Sequence, residues 1–254
     1  MEQLNDKIFC LEYEMQALAG QVNYSKLERW VPGFTDPFTD FDHTQRYQLV
    51  CSYVNNKDVL DMACGTGKGS YMMATSSNAR HVLGCDLDKD AIRYAGIKYK
   101  APNLAFEIQD ASSFKKGLAF DVIVSFETVE HIKEVGAYLT SMDKALKQNG
   151  LFIVSTPISK YKEDTTPFNP FHIKEWGFST FRKLISTKFK IEKTYIQMHE
   201  KRPYTFMEKL MNRFSRKEVN YLNTTLEEYT SQVSPNKFGK QYVGFQILVC
   251  GKKQ

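Results

Sequence analysis

What the chain has little of narrows it first. Cysteine is sparse and unpatterned: Cys10, Cys51, Cys64, Cys85 and Cys250 are five among 254 residues, with no C-x-x-C pair. That excludes a disulfide framework and a cysteine zinc site, and leaves reduced thiols, several of them suited to a core. No apolar run approaches the ~20 residues a membrane span needs. The start, MEQLNDKIFC, lacks the basic stretch and apolar block of a secretory signal. A soluble cytoplasmic protein with no transmembrane segment is the expectation. Internal repeats and low-complexity tracts are absent as well.

What is present suits a globular chain. Hydrophobic residues make up 42%, enough for a sizeable core in one domain, or in a domain with an appended cap. The net charge of +5 is unevenly spread. Residues 1–56 hold 4 Lys and Arg against 8 Asp and Glu, residues 57–156 hold 12 against 12, and residues 157–254 hold 18 against 9. The basic last hundred residues suit an anionic partner or a solvated face.

From Lys57 to Thr156 short β-rich runs alternate with helical segments: DVLDM, GKGSYMMATS, HVLGCD, KDAIRYAGIKYK, LAFEIQD, FDVIVSF, VGAYLTSMDKALKQ and GLFIVST. Nearly continuous apolar strands alternating with helices mark a parallel sheet covered on both faces, a doubly wound α/β core. Asn149-Gly150 fits a helix-ending turn before GLFIVST. Ahead of the core, HTQRYQLVCSYV (43–54) has helical spacing, and ERWVPGFTDPFTDFD before it reads as an ordered aromatic loop. Beyond the core, STFRKLIST suggests a helix, FKIEKTYIQM a strand and KQYVGFQILVC a final strand. The insertion between these two strands, residues 199–240, sets Phe206, Leu210, Met211 and Phe214 on one helical face.

The sharpest local feature is VLDMACGTGKGS, where a strand ending at Asp61 runs into Gly65, Gly67 and Gly69 ahead of a helix. Glycines there permit a tight turn and let backbone N–H groups approach a ligand. The second strand ends at Asp86, twenty-one residues after Gly65, suiting a carboxylate on a ribose diol. The third ends at Asp110, which can accept from an adenine amino group beside the N–H of Ala111. Acidic groups at three successive strand ends repel a pyrophosphate and favour a cationic sulfonium bearing an α-amino group.

Through DMACGTGKG, GCDLDKDAI, IQDASSF, FDVIVSFETVEHI and ALKQNGLFIVSTP the sequence resembles the class I S-adenosylmethionine-dependent methyltransferases, over roughly residues 40–190. The resemblance implies a Rossmann-like, mostly parallel, seven-stranded sheet with S-adenosyl-L-methionine as cofactor. By position it puts Asp61 and Gly65 beside the methionine part, with Ala63, Gly67 and Leu87 also among the cofactor-binding residues. Asp86 falls at the ribose, Asp110 and Ala111 at the adenine, Phe126 against the cofactor and Arg46 near its carboxylate. Outside the resemblance, the aromatic lead-in over 1–42 reads as a lid and the 199–240 insertion as a helical substrate cap, within a methyltransferase domain over 43–254. Cys64 departs from the small or acidic residues commoner at its place.

Methyl transfer from a sulfonium is an in-line displacement, so alignment supplies much of the catalysis, and a hydroxyl acceptor also needs a base. Candidate catalytic residues are Glu130 and His131, in FETVEHI after the fourth strand, and His172, in NPFHIKEW after the fifth. TP, a variable loop and NPFHIKEW look like the methyltransferases of sugar and glycan biosynthesis. That implies a sugar, nucleotide-sugar or glycan acceptor; with the basic last third, the expectation is a small anionic acceptor methylated on oxygen or nitrogen, with no resident metal. The alternative takes Glu127, Glu130, His131 and His172 as ligands of a divalent metal, similar to the small-RNA 3′-terminal 2′-O-methyltransferases, with a nucleic acid as acceptor. A third reading is a non-catalytic, cofactor-binding partner subunit. In the plainest reading Glu127, Thr128 and Glu130 open a helix, and His172 fixes its own loop.

Overall fold

The parallel half of the sheet forms where the sequence is almost unbrokenly apolar. The structure, a computed structural model, describes residues 2–23, 29–158, 167, 169–201, 221–229 and 242–253. Strands β1 (Asp58–Met62), β2 (His81–Asp86), β3 (Leu104–Ile108), β4 (Phe120–Ser125) and β5 (Leu146–Ile158) run parallel in the order 3-2-1-4-5. Helices α3 (Lys68–Ser76), α4 (Lys89–Lys98) and α5 (Val135–Ala145) make the crossovers. The order reverses between β1 and β4, and a crevice opens there at the strands' carboxyl ends, where ligands bind in such sheets.

Beyond β5 the sheet turns antiparallel. Helix α6 (Phe178–Ile185) precedes β6 (Phe189–Lys201), followed by β7 (Tyr221–Glu228) and β8 (Tyr242–Lys252). β8 pairs with β5 and β6, and β7 pairs with β6 at the outer edge. The sheet therefore has eight strands, one more than expected. The extra one comes from the insertion expected to be a helical cap, where NTTL supplies β-favouring threonines. The helical face of Phe206, Leu210, Met211 and Phe214 lies outside the described residues.

Two apolar layers flank the sheet. Tyr138, Leu139, Met142, Phe181 and Ile185 from α5 and α6 pack on one face, with Phe152 and Leu248. The other face carries Val50 from α2 (Pro37–Cys51) and Met73 from α3, against Val122, Ile153 and Ile247.

Three boundaries differ from expectation. Helix α2 begins at Pro37, inside the stretch read as a loop, because Asp36 caps it through the N–H groups of Phe38 and Thr39 and proline takes the first turn. Asn149-Gly150 is no helix-ending turn: α5 stops at Ala145 and the strand begins at once. Gly150 is needed for close packing instead, since a Cβ there would meet Leu146 Cδ1 at 2.7 Å and the Asp121 carbonyl at 3.0 Å. Finally, residues 2–23 form a 22-residue helix, α1 (Glu2–Asn23).

Candidate active site

The loop after β1 turns sharply, with Ala63 at φ 61°, Gly65 at 56° and Gly67 at 83°. Gly67 then forms the N-cap of α3, and nothing lies within 4 Å of where a Cβ on Gly65 would sit. The open space at Gly65 is the cradle a ligand's approach to backbone requires.

Three carboxylates meet this crevice. Asp61 is fully buried and accepts from Tyr47 Oη at 3.1 and 3.2 Å and from Ser70 Oγ at 2.6 Å. Burial without a cation pushes its pKa up to about 7. Asp86 accepts from the N–H groups of Gly65 and Asp88, both at 2.9 Å, and from Arg29 Nη1 at 3.2 Å. Asp110 caps a short turn through the N–H of Ser112 at 2.8 Å, next to buried Ala111. Leu87 and Ile108 leave apolar surface exposed beside these carboxylates, and Phe126 is buried edge-on to Tyr47 at 5.2 Å. This combination of acidic groups, glycine cradle and apolar edges fits S-adenosylmethionine. The acids would hold its amino group, ribose and adenine, and the loop would lie along its methionine part.

Arg46, on α2, is 1% exposed. Its Nη2 donates to Glu127 Oε2 at 2.8 Å and its Nη1 to Gln197 Oε1, with the guanidinium 4.4 Å from the Phe245 ring centre. Glu127 sits at φ 45° and also accepts from Ser155 Oγ. Sequence spacing gave no sign of Arg29, Tyr47, Ser70, Ser155 or Gln197 in these roles. Tyr47 and Ser70 each adjoin a candidate cofactor-loop residue, Arg46 and Gly69, the one sequence signal that points to them.

FETVEHI does not open a helix. Val129–His131 make one 3₁₀ turn, Thr128 Oγ1 donates to the Phe126 carbonyl, and α5 starts only at Val135. The turn carries Glu130 fully buried, with Oε2 accepting from Thr156 Oγ1 at 3.3 Å and Oε1 without a partner among the described residues. Burial, reinforced by the nearby charge of Glu127, raises its pKa to about 8. Its backbone carbonyl accepts from the N–H groups of Ile173 and Lys174 at 2.8 and 3.2 Å, tying NPFHIKEW to β4.

That tie brings the two histidines together, with ring centres 4.9 Å apart. His131 Nδ1 lies 2.9 Å from the Phe171 carbonyl, an acceptor, so Nδ1 carries the proton and Nε2 holds the lone pair. His172 is held on both sides, Nδ1 facing Glu175 Oε1 at 3.2 Å and Nε2 facing Asn169 Nδ2 at 3.1 Å. Glu130, His131 and His172 each bring a ligand-type atom within 4.8 Å of the others. Glu127, turned toward Arg46 and Ser155, is outside this group.

Comparison with known proteins adds to this geometry. Residues 54–210 match a family described as "Methyltransferase domain". A Mycolicibacterium smegmatis protein named "Probable S-adenosylmethionine-dependent methyltransferase" is 31% identical over 182 residues, 68% of this chain and 67% of the relative. A Mycobacterium tuberculosis protein described in the same words is 33% identical over 151 residues, 56% of this chain and 52% of the relative. The chain thus spans between half and two thirds of their lengths. Among solved structures, that of MccD protein superposes with a TM-score of 0.58 at 16% identity, over 85% of this chain and 98% of the other. It supports the fold alone.

Proposed function

The chain belongs to the S-adenosylmethionine-dependent methyltransferases, and from that premise we propose that it methylates an oxygen or nitrogen of a small anionic acceptor, a sugar, nucleotide-sugar or glycan. The bound cofactor would supply an electrophilic methyl group. The residues of this chain would align the acceptor and remove its proton. The observation that carries the proposal is the His131 ring, fixed through Nδ1 on the Phe171 carbonyl with Nε2 left as a base. In this reading His172 is a positioning residue that braces the loop against Glu175 and Asn169. The basic C-terminal third supports an anionic acceptor, and NPFHIKEW supports the sugar class.

The test is transfer of labelled methyl from S-adenosylmethionine to a panel of nucleotide sugars, short glycans, phosphorylated small molecules and short RNAs. Transfer to a sugar-containing acceptor, abolished in His131→Ala with cofactor binding intact, is expected. Transfer to none of the sugars would overturn the acceptor class. The grouping of Glu130, His131 and His172 favours one second reading, a divalent cation held by these three and activating an RNA ribose hydroxyl. Loss of activity with a chelator and recovery with Mn²⁺ or Mg²⁺ would select it; indifference to the chelator would reject it.

A further inference from the structure

Helix α1 has two apolar faces, and among the described residues only one is covered. Inward, Cys10, Tyr13 and Ala17 are buried, with Tyr13 stacked on Tyr94 of α4 at 5.0 Å and Glu14 accepting from Tyr94 Oη at 2.8 Å and Lys98 Nζ at 2.6 Å. Outward, Leu4, Ile8, Leu11, Met15 and Leu18 stand 60%, 44%, 59%, 67% and 44% exposed. They recur at intervals of four, three, four and three residues. That is a 3.5-residue period, which keeps a stripe aligned with a second supercoiled helix. Packing on the domain has already been met by the inward face. We infer that the outward stripe is the seam of a parallel two-stranded coiled coil between two copies of this chain.

Residue types, area and charge agree on that occupant. Leu4, Leu11 and Leu18 take the d positions and Ile8 and Met15 the a positions, with leucine at d as two-stranded parallel pairs favour. The five side chains expose on the order of 500 Å² of apolar surface, so a pair of helices would withdraw about 1,000 Å², the size at which specific interfaces begin. Lys7 then falls at a g position and Glu12 at the e position five residues on, both exposed. In a parallel pair these oppose each other across the seam, twice by symmetry. Tyr13 lies on the side opposite the seam, so both domains hang outward. A lipid surface is a poorer match, since α1 carries Glu2, Asp6, Glu12 and Glu14 against Lys7 alone and is repelled by anionic headgroups.

Sedimentation equilibrium of the full chain between about 1 and 200 µM decides it, because an interface of this size gives affinities in the micromolar range. The mass should rise with concentration from 29.4 kDa toward twice that value. Met15→Glu, which sets two carboxylates against each other in the seam, should weaken the dimer at least a hundredfold. Unchanged binding of S-adenosylhomocysteine by that variant shows that its fold is intact. Leu4→Cys should cross-link under mild oxidation, since an in-register parallel seam puts the two copies of residue 4 side by side; an antiparallel one separates them by most of the helix. A chain that stays monomeric, a dimer indifferent to Met15→Glu, or a dimer in which Leu4→Cys fails to cross-link each overturns the inference. So would binding to phosphatidylglycerol vesicles by a monomer that Met15→Glu abolishes.

Discussion

Arg46 and Glu127 are joined across 81 residues of chain by a 2.8 Å bond from Nη2 to Oε2, with the arginine 1% exposed. An arginine so buried depends on its partner. Glu127→Ala leaves the guanidinium uncompensated beside Phe245 and should lower stability by about 3–5 kcal/mol, whereas replacing both residues together, Arg46→Met with Glu127→Leu, should cost less than Glu127→Ala alone. Urea unfolding of the two variants checks this. A double variant as unstable as the single one would show that the charges are not what couples the two positions.

The turn at Gly67 is constrained from two sides. Its φ of 83° is unfavourable for any residue with a Cβ, and a Cβ there would lie 2.7 Å from Ala95 Cβ and from the Phe106 ring. Ala95 is too short to move aside, so α4 must shift. Gly67→Ala should destabilise the protein by roughly 2–4 kcal/mol and weaken S-adenosylhomocysteine binding at least tenfold, measured by thermal unfolding and calorimetry. Gly65→Ala, with strain but open space, should lose less stability.

These two sites differ in how far the sequence announces them. Gly67 is legible, because a glycine between a near-continuous apolar strand and a helix has a local conformational cause. The Arg46–Glu127 pair is not, since nothing local to HTQRYQLV or FETVEHI says that the two stretches meet. The parallel strands were legible because burial on both faces leaves DVLDM, HVLGCD and FDVIVS almost without polar contrast. Helix α1 is not legible for the opposite reason: Phe9, Cys10 and Tyr13 on one face and Leu4, Ile8 and Leu11 on the other blur the single stripe that marks a surface helix. The meeting of His131 with His172 depends on the Glu130 carbonyl, a backbone group no side-chain pattern reveals.

Glu130 makes the folded protein hold a proton that the unfolded chain releases. Its pKa is about 8 when folded against an ordinary 4.5, so its contribution to stability is complete below about pH 4.5 and is lost as pH rises through 8. Asp61, at about 7 against 3.8, acts in the same sense over a lower window. Cofactor-free protein should therefore lose stability steadily from pH 5 to 8 in urea titrations. Glu130→Gln should leave the fall through pH 7 that Asp61 causes and remove the further fall through pH 8. A Glu130→Gln curve that still falls between pH 8 and 9, where Asp61 has finished titrating, would locate the proton elsewhere.

Asp61 should couple cofactor binding to pH. With a pKa of about 7 in the empty crevice, it is mostly protonated at pH 6, hydrogen-bonded to Tyr47 and Ser70 but without a net charge to offer a cation. The cofactor's α-amino group favours the carboxylate, so binding below pH 7 must expel the proton. Affinity for S-adenosylmethionine should then rise up to tenfold per pH unit between pH 5.5 and 6.5 and level off above 7.5. Calorimetry in buffers of different ionisation enthalpy should register release of close to one proton at pH 6 and almost none at pH 8. Asp61→Asn keeps the hydrogen-bonding shape without the charge, and should bind weakly with no proton release at either pH. Equal proton release by the variant would mean that another group titrates on binding, and Asp61 would then be a fixed anchor of Tyr47 and Ser70.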